Sequence, residues 1–227
     1  MEDEPFTWIG ALGLPEKIAT AGLVAGLLIA FAVRVRARLG ATEAALDPDD
    51  GITARSVAEA VVEAISGLAD NVIGHGAERY VPLLASFFVF ILACNLIGLV
   101  PGFSPPTSDF NITFGLGIVS FVAYQIAGAR EHGWRYVKQF LGPVVLLSWL
   151  MVVVELFSHV FRPVSLGIRL FANMVADHEV VEIFTGLTKI GIPVAFYFLG
   201  AFVCVVQAFV FTMLSAIYIA LAVSHDH

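Results

Sequence analysis

Apolar residues in this chain gather into long runs separated by short polar breaks. The first run, roughly Ile18 to Val33, ends at Arg34-Val35-Arg36-Ala37-Arg38 and predicts a membrane-crossing helix over 18–39, after an external N-terminus 1–17. A polar loop containing Asp47-Pro48-Asp49-Asp50-Gly51 follows. Over 52–76, Val57, Val61, Ala64, Ile65, Leu68 and Val72 recur at helical spacing, with Glu59, Glu63, Asp70 and Asn71 mostly on other faces. That is an amphipathic helix too polar to span, expected at the membrane interface or against partner helices. Its polar face is acidic, so anionic lipid would not attract it.

Spanning runs over 80–101 and 112–130 come next, divided by Pro101-Gly102 and Pro105-Pro106. A long tract over 143–189 carries Glu155, His159, Arg162, Arg169, Asp177, His178, Glu179 and Glu182 within strongly apolar sequence. The last run, 191–224, has no charged residue. Its length would make a helix of about 50 Å, against a hydrocarbon core of about 30 Å. Two such over-long segments predict a long hairpin lying obliquely in the bilayer. The fold class is all-α: about six helices, five of them membrane-embedded, plus the amphipathic interfacial one, in a single membrane domain over 1–227.

Composition agrees. The 227 residues are 59% hydrophobic and 14% charged, against about 25% charged in a soluble domain, and mean hydropathy is +0.88. With 12 Lys+Arg against 19 Asp+Glu and no basic patch, nucleic acid is not an expected partner. Cys94 and Cys204 lie inside apolar runs and read as packing residues, with no metal site and no cofactor expected. With the N-terminus outside, eight Lys/Arg fall on the cytoplasmic side and only Lys17 and Lys189 outside. Five crossings then place the C-terminus in the cytoplasm. The acidic start is unlike a secretory signal, and the lack of a transit peptide favours a bacterial plasma membrane.

The chemistry concentrates in Glu155–His178. An arginine near a bilayer centre costs from about 3 to more than 10 kcal/mol and cannot shed its proton, so it must face water, a carboxylate or both. Arg169 could be a structural ion pair with Glu155 or Asp177, or a functional charge. Arg169 and Asn173 share one helical face, while His178 and Glu182, four residues apart, share the opposite one. One helix thus offers a fixed cation on one side and a titratable pair on the other, the arrangement of a proton path beside an electrostatic barrier.

Four motifs in order carry a family resemblance. Arg162-Pro163-Val-Ser-Leu-Gly-Ile-Arg169-Leu-Phe-Ala-Asn173-Met resembles the signature helix of subunit a of F-type ATP synthases. Gln207-Ala-Phe-Val-Phe-Thr-Met-Leu-Ser-Ala-Ile-Tyr218 is similar to that family's last helix. Asn95-Leu-Ile-Gly-Leu-Val-Pro101 and Pro106-Thr-Ser-Asp109-Phe-Asn111-Ile-Thr113 fit its earlier patterns.

The resemblance implies a stationary subunit beside a rotating ring of c subunits, with b-type stator subunits and the rest of the complex as partners. Arg169 matches the arginine that faces the ring carboxylates and separates two offset half-channels. Asn173 and Gln207 match polar residues near it. Gln207 could equally serve a helix–helix hydrogen bond. His178 matches a Glu or His position of the external half-channel, and Glu155 an acid of the cytoplasmic one. Glu155 could instead pair with Arg162 or His159.

Two positions depart from the pattern. Asp177 stands where the family often has Gly, and could tune His178 or hold water. Gly200 stands where some members have His or Glu, so the external path needs Glu179, Glu182 or water. Asn95, His159, Asp109 and Asn111 are secondary candidates; Asp109, Asn111 and Thr113 read as loop-capping groups first. No phosphate-binding glycine loop is present, so ATP chemistry belongs to other subunits. A self-contained secondary transporter is the alternative, although no internal repeat is visible. A non-transporting scaffold would leave Arg169 and the His178 cluster unexplained.

Overall fold

The computed structural model describes residues 15–38, 53–74, 76–100, 102–133, 148–187 and 192–224. These form six α-helices: α1 (Glu16–Arg38), α2 (Ala54–Val72), α3 (Val81–Ile97), α4 (Phe110–His132), α5 (Ser148–Leu187) and α6 (Ile192–Val223). Short 3-10 turns at Ala77–Arg79 and Pro106–Ser108 precede α3 and α4. No strand occurs among the described residues. Three helices are long and apolar enough to cross a membrane: α1, α4 and α6. Helix α3 is equally apolar but has 17 residues, and α5 carries the charged residues that hydropathy penalises.

Local chemistry sets the boundaries. Thr53 caps α2 through a reciprocal pair: its hydroxyl accepts from the Ser56 amide at 3.3 Å, and the Ser56 hydroxyl accepts from the Thr53 amide at 2.8 Å. Asp109 caps α4, its carboxylate accepting from the Asn111 amide at 2.8 Å. Between α3 and α4 the chain turns at Gly102, whose φ of +89° a side chain would disfavour. Pro163, which removes one backbone donor, lies inside α5 without ending it.

Helix α6 is the common wall of two apolar clusters. In one, Ala216 and Ile219 meet Ile65 and Ala69 of α2, Leu84 of α3 and Tyr124 of α4. In the other, Cys204, Ala208 and Phe211 meet Phe87 and Ile91 of α3 and Leu166, Leu170 and Met174 of α5. The Phe87 and Phe211 rings meet edge to face at 5.5 Å. Ile65 and Ala69 of α2 are therefore buried against α3 and α6 of its own chain, while Val57, Glu59, Glu63 and Asp70 stay exposed. Helix α1 touches the rest through buried Thr20 and Val24, and the Lys17 ammonium donates to the Ser108 carbonyl at 3.3 Å.

Helices α5 and α6 run antiparallel. Asn173 meets Gln207, Asp177 meets Gly200, and the Phe184 and Phe196 rings stack at 4.2 Å, so positions rise on one helix as they fall on the other. Helices α4 and α5 approach closely because each presents glycine. A Cβ on Gly117 would lie 2.5 Å from the Pro163 carbonyl oxygen, and one on Gly167 would lie 3.0 Å from the Phe114 Cα. Close backbone approach through small residues is how membrane helices gain packing energy. At this crossing, Gly117→Ala is expected to destabilise by about 1–3 kcal/mol. Gly115→Ala on the same helix meets nothing within 4 Å and is expected to be neutral or stabilising. Melting temperatures of the purified complexes compare the two.

Candidate functional site

Helix α5 carries three groups of polar side chains along its length. Glu155, His159 and Arg162 lie toward its N-terminal end, Arg169 and Asn173 in the middle, and Asp177, His178, Glu179 and Glu182 toward its C-terminal end. At 1.5 Å per residue, Glu155 and Glu182 are about 40 Å apart along the axis. The Glu155 side chain lies outside the described residues, so its suggested pairing is not addressed.

Arg169 is exposed and makes neither a hydrogen bond nor an ion pair with any described residue. Pairing with Asp177, one of the two partners open on sequence grounds, does not occur. Exposed apolar side chains occur along both helices, among them Phe161 and Ile168 on α5 and Phe198, Phe202, Val206 and Phe209 on α6. A permanently charged guanidinium is thus exposed on a helix pair that carries many exposed apolar side chains. One turn on, the Asn173 amide donates to the Gln207 side-chain oxygen at 2.7 Å. Gln207 is buried, so this bond ties α5 to α6 beside the arginine.

Toward the C-terminal end of α5, a 360 Å³ cavity opens between α5, the start of α6 and the 98–105 segment. Asp177, His178 and Glu182 line it together with Asn95 and Tyr197. Glu179 is exposed and does not line it. The half-buried Asp177 carboxylate occupies the space a side chain at position 200 would need: a Cβ on Gly200 would stand 2.7 Å from Asp177 Oδ2. The two departures from the family pattern therefore touch, with an acid on α5 filling the vacancy opposite it on α6.

Toward the other end, His159 and Arg162 face α4 and α6 rather than the Arg169 surface. The Tyr124 hydroxyl lies 3.2 Å from His159 Nδ1, and an Arg162 guanidinium nitrogen lies 3.3 Å from the same atom. Arginine can only donate, so His159 Nδ1 accepts. The Arg162 guanidinium also lies 5.8 Å from the Tyr124 ring centre and 5.4 Å from that of Tyr218, within cation–π range. Nearby, Ser120 and Ser215 share a buried hydrogen bond of 2.8 Å. Asp109 and Asn111 form the α4 cap and Thr113 bonds back to that turn, a structural arrangement.

Tyr124, Tyr197 and Thr107 were not singled out by the sequence. The tyrosines show a polar tip on an otherwise apolar stretch, which says that a partner is needed but not which one, and Thr107 sits in the polar turn Pro105-Pro106-Thr107-Ser108-Asp109. Among the described residues no cluster of three or more His, Cys, Asp or Glu could hold a metal ion.

These features define an all-helical membrane protein that carries ionisable and amide side chains inside apolar helices. The ATP synthase A chain family model matches residues 18–220. Relatives include ATP synthase subunit a of Bdellovibrio bacteriovorus, 46% identical over 211 residues and 92% of each chain. That of Sorangium cellulosum is 40% identical over 93% of this chain and 84% of the relative. ATP synthase subunit a 1 of Syntrophotalea carbinolica is 37% identical over 95% and 88%. The chain belongs to the ATP synthase subunit a family.

The Asn173–Gln207 bond has a measurable worth. A double-mutant cycle with Asn173→Leu and Gln207→Leu, read by detergent-induced unfolding, is expected to give a coupling of about 0.6–1.7 kcal/mol; additive effects would remove the bond from the account.

Proposed function

We propose that this chain is the stationary proton-translocating subunit of the membrane motor of an F-type ATP synthase. The observation that carries the reading is Arg169, an exposed permanent charge without a partner among the described residues, on a helix pair with many exposed apolar side chains. A charge so placed must face water, a carboxylate or both, and a carboxylate from outside the chain meets that need. A ring of c subunits, each bringing one membrane carboxylate past Arg169, supplies it. The guanidinium favours the ionised form of each carboxylate as it passes. It also repels protons that would otherwise cross directly.

The two flanking groups act as offset half-channels. The cavity at Asp177, His178 and Glu182 is the external one, with a near-neutral imidazole class suited to proton relay. Asp177, seated against Gly200, supplies from α5 the group that a larger residue at position 200 would supply from α6. Glu155, with the His159–Arg162 region, lies on the cytoplasmic one. Glu179, outside the cavity lining, belongs to its outer approach. Asn173 and Gln207 hold the two helices in register beside the arginine. The membrane field drives the ion with about 2.3 kcal/mol per charge per 100 mV.

In this reading α3 and α5 are embedded along with the three hydropathic helices, α5 and α6 lie obliquely in a bacterial plasma membrane, and the N-terminus is external. The b-type stator subunits and the rest of the complex are its partners, and ATP chemistry lies on other chains. Family membership favours this over a self-contained transporter.

ATP-driven proton pumping in inverted vesicles tests the assignment. Arg169→Ala is expected to assemble normally and pump at less than about 1% of the parent rate, since one tenfold loss corresponds to about 1.4 kcal/mol and a whole charge is removed. Near-normal pumping would refute the gate.

The Asp177 seat makes a separate claim. Gly200→Glu alone is expected to lower pumping at least tenfold by expelling the Asp177 carboxylate. Adding Asp177→Gly is expected to recover most of it. Failure of the double variant to recover would show that the acid must come from α5.

A further inference from the structure

Arg162 stands on the boundary between the packed and the open side of α5. Its helical neighbours Ser158 and Ser165, four before and three after, are exposed, whereas His159 and Leu166, three before and four after, are buried. Ser165 and Arg169, four residues apart, share the exposed side. A long side chain that starts at position 162 therefore has two ways to go. Arg162 and Arg169 leave the helix within about 20° of the same direction and about 10 Å apart along the axis. Turned outward, the Arg162 guanidinium would join Arg169 on one side of α5.

The structure turns it inward. The Arg162 guanidinium lies 5.8 Å from the ring centre of Tyr124 on α4 and 5.4 Å from that of Tyr218 on α6. Those two rings are themselves 5.9 Å apart. One guanidinium nitrogen reaches Nδ1 of the buried His159 at 3.3 Å. Two aromatic faces and an acceptor nitrogen thus hold the cation, and no ion pair to Arg162 occurs among the described residues. An aromatic face attracts a cation without supplying a counter-charge. The clamp fixes where the charge sits and leaves its magnitude intact.

We propose that Tyr124, Tyr218 and His159 are positioning residues that keep Arg162 off the outward side of α5, so that carboxylates passing this helix meet one cation, Arg169. The inference rests on the reading of Arg169 as the group that faces the ring. A guanidinium beside a carboxylate holds it in the ionised form. A second guanidinium about 10 Å along α5 would hold the ring at a second position. Each carboxylate would then have to leave two attractive sites per step instead of one. Drawing Arg162 into the helix packing removes the second site.

The assay is ATP-driven proton pumping by the whole complex in inverted vesicles, normalised to the amount assembled. Tyr218→Leu takes away one face of the clamp and is expected to slow pumping about tenfold. Tyr218→Phe keeps the face and is expected to retain more than about half of the parent rate. Arg162→Gln is expected to cost about threefold, because α5 loses a contact to α4 and α6. Combining Tyr218→Leu with Arg162→Gln is expected to pump as well as Arg162→Gln alone, and so better than Tyr218→Leu. Deleting a charge would then restore what the loss of a ring took away, which a purely structural clip does not do. A double variant as slow as Tyr218→Leu or slower would overturn the proposal, as would unchanged pumping in Tyr218→Leu.

Ser165 offers a second test that leaves the clamp in place and does not depend on how Tyr218→Leu folds. Ser165→Lys adds a cation to the outward side, and Ser165→Gln adds comparable bulk without charge. The lysine variant is expected to pump at least about tenfold more slowly than the glutamine variant. Equal rates would show that a second outward cation is harmless and the clamp proposal wrong. Arg169→Ala serves as the reference. If it pumps near-normally, the ring-facing reading itself fails. If it stops pumping while the Ser165 pair are equal and the double variant does not recover, that reading stands and the clamp proposal alone fails.

Discussion

An arginine in a low-dielectric layer cannot neutralise itself, and that single constraint organises this molecule. Lysine, histidine or a carboxylate could shed charge under the same pressure. Arg169 is exposed on α5 and meets no acidic partner among the described residues. Its neighbours follow from this. The Asn173–Gln207 bond fixes the α5–α6 register at the arginine without neutralising it, because an amide pair brings no net charge. Asp177, which could have paired with Arg169, is turned instead into the space over Gly200.

Arg162 shows the contrasting solution. Two helical turns earlier on α5, its charge is absorbed inside the chain by the faces of Tyr124 and Tyr218 and by His159. The two arginines thus divide the work of one helix: Arg162 binds α5 to α4 and α6, and Arg169 is presented outward. The glycines at 117 and 167 let α4 come close enough for Tyr124 to reach His159. Small residues at one level and polar contacts at the next are a single packing arrangement.

Much of this was legible in the sequence. Apolar runs and their breaks marked the helices, because a membrane span needs length and hydrophobicity and little else. The i, i+4 spacing put His178 with Glu182, and both line one cavity in the structure. Pro163 lies inside α5 and the helix continues through it, since one missing backbone donor does not break a helix held on several sides. What could not be read were contacts between helices. Asp177 and Gly200 were each odd alone, and only the antiparallel pairing of α5 with α6 makes them one feature. Thr107 and Tyr124 gave no local sign of which groups they meet, because their partners lie on other elements.

The account's central claim is spatial: the α5–α6 surface around Arg169 faces a carboxylate carried by a neighbouring subunit. Electron cryomicroscopy of the assembled membrane complex measures this directly. The account predicts the ring against this surface, with the Arg169 guanidinium about 3–5 Å from a ring carboxylate or from one water bridging to it. Finding Arg169 facing lipid, or paired within its own chain while the ring packs against another face, would contradict it.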